Sequence, residues 1–188
     1  KPWREDDLTG PVNEYGRGKL AGEAAILGSG ARHLIFRTSW VYAAHGKNFL
    51  DTMLRLAAER DALQVVDDQF GVPAGSDFIA DATAHATRYV LAEPASEGLY
   101  HLTPAGETTW FRYARHVITR AREFGLPVRV ADSAIEPVAT DTFPTPAARP
   151  RNSRLAGRKL ESVFGIYRPD WRDQIDRLLL ERADRYEN

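Results

Sequence analysis

The sequence predicts an α/β fold built around a parallel sheet, and three consecutive features support this. A helix is expected from about Val12 to Leu27, and Gly28-Ser29-Gly30 ends it. Residues 33–42 are apolar, β-branched and aromatic, which is typical of a strand that is buried on both faces. A helix, a glycine stop and a buried strand form the second half of a βαβ unit, whose strands run parallel.

Further helices and short strands are predicted along the rest of the chain. Apolar residues at helical spacing predict four helices, which lie at 49–57, 78–90, 110–121 and 171–182. Short apolar runs predict strands at 63–66, 98–102 and 128–130, and a polar loop is expected at 67–77. Residues 132–154 contain four prolines, so an irregular segment is predicted there.

Composition excludes several classes of function. The net charge of -1 gives no general attraction to nucleic acid or anionic lipid, and no apolar run is long enough to span a membrane. The absence of cysteine rules out disulfides and thiolate metal sites, and it fits a reducing cytoplasm. The five histidines lack ligand spacing, so no catalytic metal is expected. The polar start, without an initiator Met or a signal core, indicates the middle of a longer protein.

Tyr15 and Lys19 form a Tyr-x-x-x-Lys pair at the start of the first predicted helix. A spacing of four places both side chains on one helical face, one turn apart. A phenol is a poor proton donor at neutral pH unless its anion is stabilised, and a nearby ammonium ion supplies that stabilisation. The pair therefore suits hydride transfer to a carbonyl, with the tyrosine protonating the incipient alkoxide.

A tyrosine and a lysine four residues apart also occur often by chance, so their context matters. The helix contains Gly16, Gly18 and Gly22, which are costly in a helix interior. Small residues there allow a ligand or backbone to approach closely, which would justify them. The following strand places the pair near the carboxyl edge of a parallel sheet, where open α/β folds bind ligands.

Four longer motifs carry a specific resemblance. They are Tyr15-Gly-x-x-Lys19-x-x-Gly-Glu23, Arg37-Thr-Ser-Trp-Val-Tyr42, Val66-Asp-Asp-Gln-Phe-Gly-Val-Pro73 and Pro146-Ala-x-Arg-Pro-x-Asn-Ser-x-Leu155. In order and spacing this series resembles the dTDP-4-dehydrorhamnose reductases of the extended short-chain dehydrogenase/reductase superfamily. The resemblance covers residues 13–160. The first motif is shared by the whole superfamily, whereas the last three are specific to a much smaller group of proteins.

The resemblance implies the C-terminal part of a Rossmann-like doubly wound parallel sheet plus a smaller α/β substrate-binding domain. Residues 1–66 would carry the Tyr-x-x-x-Lys pair, and residues 67–188 would form most of the nucleotide-sugar-binding region, interleaved with the sheet domain. The implied reaction is reduction of the 4-keto group of dTDP-4-dehydro-L-rhamnose to dTDP-L-rhamnose in the cytoplasm. NADPH or NADH would be the cofactor, and a homodimer is one assembly to consider.

The resemblance also implies roles for single residues. Tyr15 would be the general acid, Lys19 would hold the nicotinamide ribose, and both would contact the cofactor. Substrate contacts would come from Trp40, Asn48, Gln69, Arg149 and Ser153. Each of these has a plainer interpretation, because a strand Trp is usually core, an Asn before a helix is a cap, and polar loop residues are usually solvated.

One departure from the family pattern concerns the cofactor. The Gly-x-x-Gly-x-x-Gly turn that cradles a dinucleotide pyrophosphate is absent, and the catalytic Ser or Thr would precede Lys1. We therefore expect the isolated chain to be inactive. The alternatives are another nucleotide-sugar reductase or epimerase, and a non-catalytic nucleotide-sugar-binding subunit.

Overall fold

Six α-helices, three short 3-10 helices and eight short strands make up the fold in a computed structural model, which describes residues 1–186, with side chains through residue 184. The helices are α1 (Glu14–Gly28), α2 (Phe49–Glu59), α3 (Ser76–Ala92), α4 (Trp110–Glu123), α5 (Arg158–Phe164) and α6 (Trp171–Tyr186). The strands are β1 (Leu34–Arg37), β2 (Val41–Tyr42), β3 (Leu63–Val66), β4 (Phe70–Gly71), β5 (Ala74–Gly75), β6 (Gly98–His101), β7 (Thr108–Thr109) and β8 (Ile135–Val138).

Parallel pairing dominates among the described strands. β1 pairs with β6, β2 with β5 and β3 with β8, all parallel, whereas β4 and β7 run antiparallel. Arg37 lies opposite His101, so the side chains that follow β1 and β6 meet at the same carboxyl edge. The predicted α/β class with parallel strands is confirmed.

Residues 33–42 form two strands instead of the single one predicted. β1 ends at Arg37 and pairs with β6, and β2 pairs with β5. Between them Trp40 has a φ of 48°, in the left-handed region that breaks strand geometry. The prediction of one continuous strand was therefore wrong, and the interruption falls at a candidate site residue.

Three other predicted segments need correction. Residues 128–130 form no strand, because the N–H groups of Arg129 and Val130 both donate to the carbonyl of Ala57 at the end of α2. The irregular segment 132–154 contains β8, which tolerates Pro137 because an edge strand can spare one N–H donor. The predicted loop 67–77 contains β4, β5 and the start of α3.

Two hydrophobic cores stabilise the chain. The larger packs α2, α4 and α6 against β3, with fully buried residues such as Leu50, Val117 and Leu179. The smaller packs α3 and α5 against β6 and includes Ala86 and Leu160. The larger core draws on both predicted ranges, 1–66 and 67–188, and the division between them stays a prediction. Within residues 1–186 no helix is both long and apolar enough to cross a membrane.

Candidate active site

The Tyr15–Lys19 pair lies at the start of α1. Asn13 caps this helix, its Oδ1 accepting from the N–H of Gly16 at 2.8 Å. The side chain of Tyr15 is 74% exposed, and the ammonium of Lys19 lies 5.4 Å from the centroid of its ring. The two side chains therefore share one face, as their spacing predicts, and the contact between them is a cation–π contact.

Polar contacts attach α1 to the body of the protein. The Nδ2 of Asn13 donates to the carbonyl of Ala148 at 2.9 Å. At the other end of the helix, the guanidinium of Arg37 donates two hydrogen bonds to the carboxylate of Glu23, at 2.9 and 2.6 Å. These hydrogen bonds raise the pKa of Arg37, because they favour its charged form. None of the fifteen residues of α1 is buried within the described chain.

Trp40 forms an aromatic platform with Trp110. Their rings are 3.7 Å apart and inclined by 15°, so the two indoles are stacked. Gly71 packs so closely that a Cβ there would lie 2.5 Å from Cε2 of Trp40. Among the described residues, Trp40 is the one non-glycine residue with a positive φ. Strained backbone of this kind persists only where the surroundings hold it, and it is common at ligand sites.

Gln69 is buried beneath this platform, with 5% of its surface exposed. Its Oε1 accepts from the indole N–H of Trp110 at 3.1 Å, and its Nε2 donates to the hydroxyl of Thr140 at 3.0 Å. Both polar groups of the side-chain amide are thus bonded to protein atoms. A direct contact between Gln69 and substrate remains a prediction, and the geometry favours a role through Trp110.

The two residues before Gln69 hold neighbouring elements. Asp67 accepts a hydrogen bond from the hydroxyl of Thr109, and Thr109 in turn caps α4. Asp68 accepts from the hydroxyl of Thr140 and, at 3.0 Å, from its N–H. The hydroxyl bond from Thr140 is the main cause of a lowered pKa for Asp68, with a smaller contribution from Arg151 at 3.6 Å.

Asn48 acts as the cap of helix α2. Its Oδ1 accepts from the N–H of Asp51 at 3.0 Å, and its Nδ2 donates to the carbonyl of Ala43 at 3.0 Å. This confirms the plainer interpretation of Asn48, while a contact with substrate stays a prediction. The next residue, Phe49, packs against Trp110 with a ring distance of 4.5 Å.

Ser153 and Arg149 lie in the loop between β8 and α5, residues 139–157. The N–H of Ser153 donates to the carbonyl of Phe70 at 2.7 Å. Ser153 is therefore bonded to the residue that lies between Gln69 and Gly71 in the sequence. Arg149 is exposed and follows Ala148, whose carbonyl binds Asn13. The loop therefore connects the start of α1 with the strand beside the platform.

The structure thus forms two groups of candidate residues joined by this loop. Trp40 and Gln69 contact Trp110, and Asn48 directly precedes Phe49, which packs against the same ring. Tyr15 and Lys19 form the other group on α1. In the part of the chain that the structure describes, no hydrogen bond, ion pair or ring contact joins either Tyr15 or Lys19 to Trp40.

Sequence reasoning missed four residues that organise the site: Asp68, Gly71, Trp110 and Thr140. Trp110 was placed on the apolar face of the predicted helix 110–121 and in a Gly106-x-x-x-Trp110 step that resembles the family, but it was given no role in the site. The run Asp67-Asp68-Gln69 directly after a strand was the available signal, since three adjacent polar side chains there need partners. Their partners lie more than 40 residues away in sequence, so the pairing itself was not visible.

The chain is similar in sequence to proteins of known family. Residues 1–183 match the protein family described as RmlD substrate binding domain. A dTDP-4-dehydrorhamnose reductase of Escherichia coli strain K12 is 51% identical over 180 residues, which are 96% of this chain and 60% of that protein. The spore coat polysaccharide biosynthesis protein SpsK of Bacillus subtilis strain 168 is 34% identical, over 97% of this chain and 59% of that protein.

A solved structure shares the fold closely. The dTDP-4-dehydrorhamnose reductase of Bacillus anthracis strain Ames, in complex with NADP, superposes with a TM-score of 0.81 and 31% identity. The superposition covers 96% of this chain and 59% of that one. The chain therefore spans about 60% of the length of the curated relative from E. coli.

The chain is a Rossmann-like protein of the short-chain dehydrogenase/reductase type, as its structural match to the B. anthracis reductase shows. Its parallel strand pairs and the tyrosine and lysine four residues apart at the start of α1 fit this class. The family match extends over nearly the whole chain, and identity to named reductases reaches one half. The chain belongs to the RmlD substrate-binding domain family, which confirms the resemblance seen in its motifs.

Proposed function

We propose that this chain is the sugar-binding and proton-donating part of a dTDP-4-dehydrorhamnose reductase. The reaction would reduce the 4-keto group of dTDP-4-dehydro-L-rhamnose to the alcohol of dTDP-L-rhamnose. One observation carries the proposal: a chain 51% identical to a reductase of that name presents a tyrosine and a lysine side by side on an exposed helix face. The reaction needs a proton donor and an electrostatic partner for it.

In this proposal Tyr15 gives its hydroxyl proton to the oxygen of the sugar carbonyl as the C4 carbon gains a hydride. Lys19 stabilises the resulting phenolate because its positive charge lies against the same ring. Both side chains are exposed, so substrate and cofactor can reach them without movement of the chain. The donated proton balances the hydride, and the product is the neutral alcohol.

The residues present fit one end of a nicotinamide cofactor. A reduced nicotinamide, NADPH or NADH, supplies the hydride when bound. Lys19 would hold its ribose, and at Gly18 and Gly22 a Cβ would meet no atom within 4 Å, so there is open space beside Lys19. The Gly-x-x-Gly-x-x-Gly turn for the pyrophosphate does not occur in the sequence, so the other end of the cofactor must be held elsewhere.

The platform around Trp40 would receive the deoxysugar, because an indole suits the apolar face of a 6-deoxyhexose. Arg149 would bind the diphosphate with its guanidinium fork. Its exposure and its place beside the start of α1 support this role. Asn48 and Ser153 border the same region and complete the proposed substrate side. A cytoplasmic setting, which the lack of cysteine supports, and a homodimer belong to the proposal as well.

Two alternatives have specific support. The 34% identity to a spore coat polysaccharide biosynthesis protein is consistent with another nucleotide sugar as substrate. The missing pyrophosphate turn is consistent with a binding module that never reacts, at least for residues 1–188 alone. The exposed Tyr15–Lys19 pair favours catalysis, because a binding module would have no use for it.

The deciding experiment joins the N-terminal segment of the E. coli relative to residues 1–188. Oxidation of NADPH is then followed with dTDP-4-dehydro-L-rhamnose and with a UDP-4-keto sugar. Turnover with the dTDP sugar is the expected result. Trp40→Ala should raise the KM for the sugar nucleotide and leave the KM for NADPH almost unchanged. A chimera that folds and binds both ligands without turnover would overturn the proposal.

Calorimetry on the isolated chain separates the binding-module alternative. We expect dTDP-L-rhamnose to bind, because the Trp40 platform is complete within these residues. NADPH should bind weakly or not at all, since the pyrophosphate turn is missing. Tight binding of NADPH by residues 1–188 alone would contradict the division of roles proposed here.

A further inference from the structure

A directional chain of hydrogen bonds runs beneath the Trp40 platform. The indole N–H of Trp110 donates to Oε1 of Gln69, and Nε2 of Gln69 donates to the hydroxyl oxygen of Thr140. The hydroxyl of Thr140 then donates to the carboxylate of Asp68. Every donor points the same way, from the aromatic platform toward the carboxylate.

This directionality fixes the side-chain amide of Gln69. An indole N–H can only donate, so the group facing Trp110 must be the amide oxygen. A carboxylate without its proton can only accept, so the hydroxyl proton of Thr140 must point to Asp68. The lowered pKa of Asp68 favours the charged carboxylate, which is the last acceptor in this series of hydrogen bonds. Hydrogen bonds aligned in this way polarise and strengthen one another.

The chain of hydrogen bonds determines where the indole of Trp110 lies. Trp110 is the first residue of α4, whose cap Thr109 is held by Asp67, so its backbone is fixed as well. With backbone and indole N–H both held, the ring plane has little freedom. Trp40 stacks on that plane at 3.7 Å and packs against Gly71, so Trp110 is one of the two partners that hold its indole despite the strained backbone.

We propose that Gln69 and Thr140 are positioning residues, which hold Trp110 and through it set the orientation of Trp40 toward the sugar. The inference deepens the proposed function and rests on it for the role of Trp40. It also gives Gln69 a different task from direct contact with substrate, since its side-chain amide is buried and its polar groups are already bonded. Thr140 connects the platform to the loop that carries Arg149, because Arg151 pairs with the same carboxylate of Asp68.

The first test uses circular dichroism of the isolated chain without ligand. Two stacked indoles couple their excited states and give a pair of bands of opposite sign in the far ultraviolet. Among the described residues, Trp40 and Trp110 are the only tryptophans in ring contact with each other, so Trp40→Phe should abolish the pair. Gln69→Ala and Thr140→Val should weaken it, whereas Thr140→Ser, which keeps the hydroxyl, should preserve it.

Gln64→Ala is the matched control. Gln64 is exposed on β3, and its amide makes one hydrogen bond of 3.4 Å to Glu136, away from the platform. Its loss should leave the paired bands unchanged. A thermal melt of each variant shows whether the chain is still folded, and the two Thr140 variants keep the test valid if Gln69→Ala does not fold.

The second test measures kinetics in the chimera with the E. coli N-terminal segment. Loss of one hydrogen bond in the chain should raise the KM for the dTDP sugar roughly three- to tenfold, the range that a net hydrogen bond energy gives. The kcat and the KM for NADPH should stay within about twofold of the parent chimera if only the platform moves. Thr140→Ser should restore the KM that Thr140→Val loses.

The outcomes separate the two proposals. Weaker bands together with a higher KM for the sugar support positioning through Trp110. Unchanged bands in both Gln69→Ala and Thr140→Val would overturn it, even if Gln69→Ala raised KM, since direct contact with substrate would then explain the effect. Weaker bands with an unchanged KM would also overturn the link to the sugar. A chimera without any reductase turnover would count against the proposed function alone, because the dichroism does not depend on it.

Discussion

The helix that carries Tyr15 and Lys19 and the platform around Trp40 are held by different means. α1 has no buried residue, and it contacts the rest of the described chain through hydrogen bonds from Asn13 and to Glu23. In the platform the indoles of Trp40 and Trp110 are stacked, and Gly71 packs against Trp40. The buried side-chain amide of Gln69 accepts a hydrogen bond from Trp110. One region is attached by polar contacts, and the other is part of a core.

This difference corresponds to the two halves of the proposed reaction. The platform would bind the sugar, and residues 1–188 already hold it in place. The helix would serve the cofactor as well as the sugar, and its apolar Ile26 and Leu27 are exposed. In the proposed reductase, α1 would gain packing from the cofactor or from another part of the enzyme, whereas the platform would need neither.

The largest expected effect concerns Tyr15 in the chimera. Tyr15→Phe removes the proton donor, and general acid catalysis contributes about 10²–10⁴-fold, so kcat should fall by that factor. The melting temperature of the isolated chain should not change, because the ring is 74% exposed. Steady-state kinetics and thermal melts measure the two quantities.

Tyr167→Phe is the control for this change, since Tyr167 is 82% exposed and should affect neither quantity. Near-normal turnover of Tyr15→Phe would rule out the mechanism.

Lys19→Ala should lower kcat and also raise the KM for the cofactor, because this side chain stabilises the phenolate and also holds the ribose.

A smaller effect is expected at the ion pair that anchors α1. Glu23→Ala removes both hydrogen bonds from Arg37, whose side chain is only 23% exposed. Hydrogen bonds to charged groups contribute about 1.5–3 kcal/mol, so α1 should open more easily by that amount. Amide hydrogen exchange of residues 14–28 measures the opening, and the platform around Trp40 should keep its protection.

Glu59→Ala offers a matched control for the anchor. It removes an exposed pair with Arg55 inside α2, which should contribute less than about 1 kcal/mol. If Glu23→Ala left the exchange of α1 unchanged, polar contacts would not be what holds this helix, and the contrast drawn above would be wrong.

The sequence predicted elements and their order well where local signals were strong. β3 was predicted at Leu63–Val66 and lies there, and α1 differs from its prediction by two residues or fewer at each end. The Tyr15–Lys19 face followed from helical spacing alone. Such features depend on neighbours along the chain, and so a sequence contains them directly.

The features that sequence reasoning missed depend on partners far along the chain. Trp40 has a left-handed backbone and its indole stacks on Trp110, and nothing local to residue 40 indicates either feature. Pro137 argued against a strand, yet β8 pairs with β3 because it lies at an edge. The resemblance implies a substrate contact for Gln69, which stays a prediction, whereas its hydrogen bonds to Trp110 and Thr140, 41 and 71 residues away, could not be seen in the local sequence.

The smallest expected effect distinguishes the free helix from the packed platform most directly. At Gly22 a Cβ would meet no atom within 4 Å, and its backbone is helical, so alanine fits without strain. Alanine is favoured over glycine in a helix interior by about 0.5–1 kcal/mol, and Gly22→Ala should raise the amide protection of α1 in the isolated chain by that much. Gly71→Ala should instead destabilise the platform, because its Cβ would overlap the indole of Trp40.

In the chimera, the same Gly22→Ala change should weaken NADPH binding if the cofactor or the N-terminal segment packs against this face of α1. If the affinity for NADPH stayed the same while α1 gained protection, the face of α1 at Gly22 would be solvent-exposed in the reductase too, and its glycine would need another explanation.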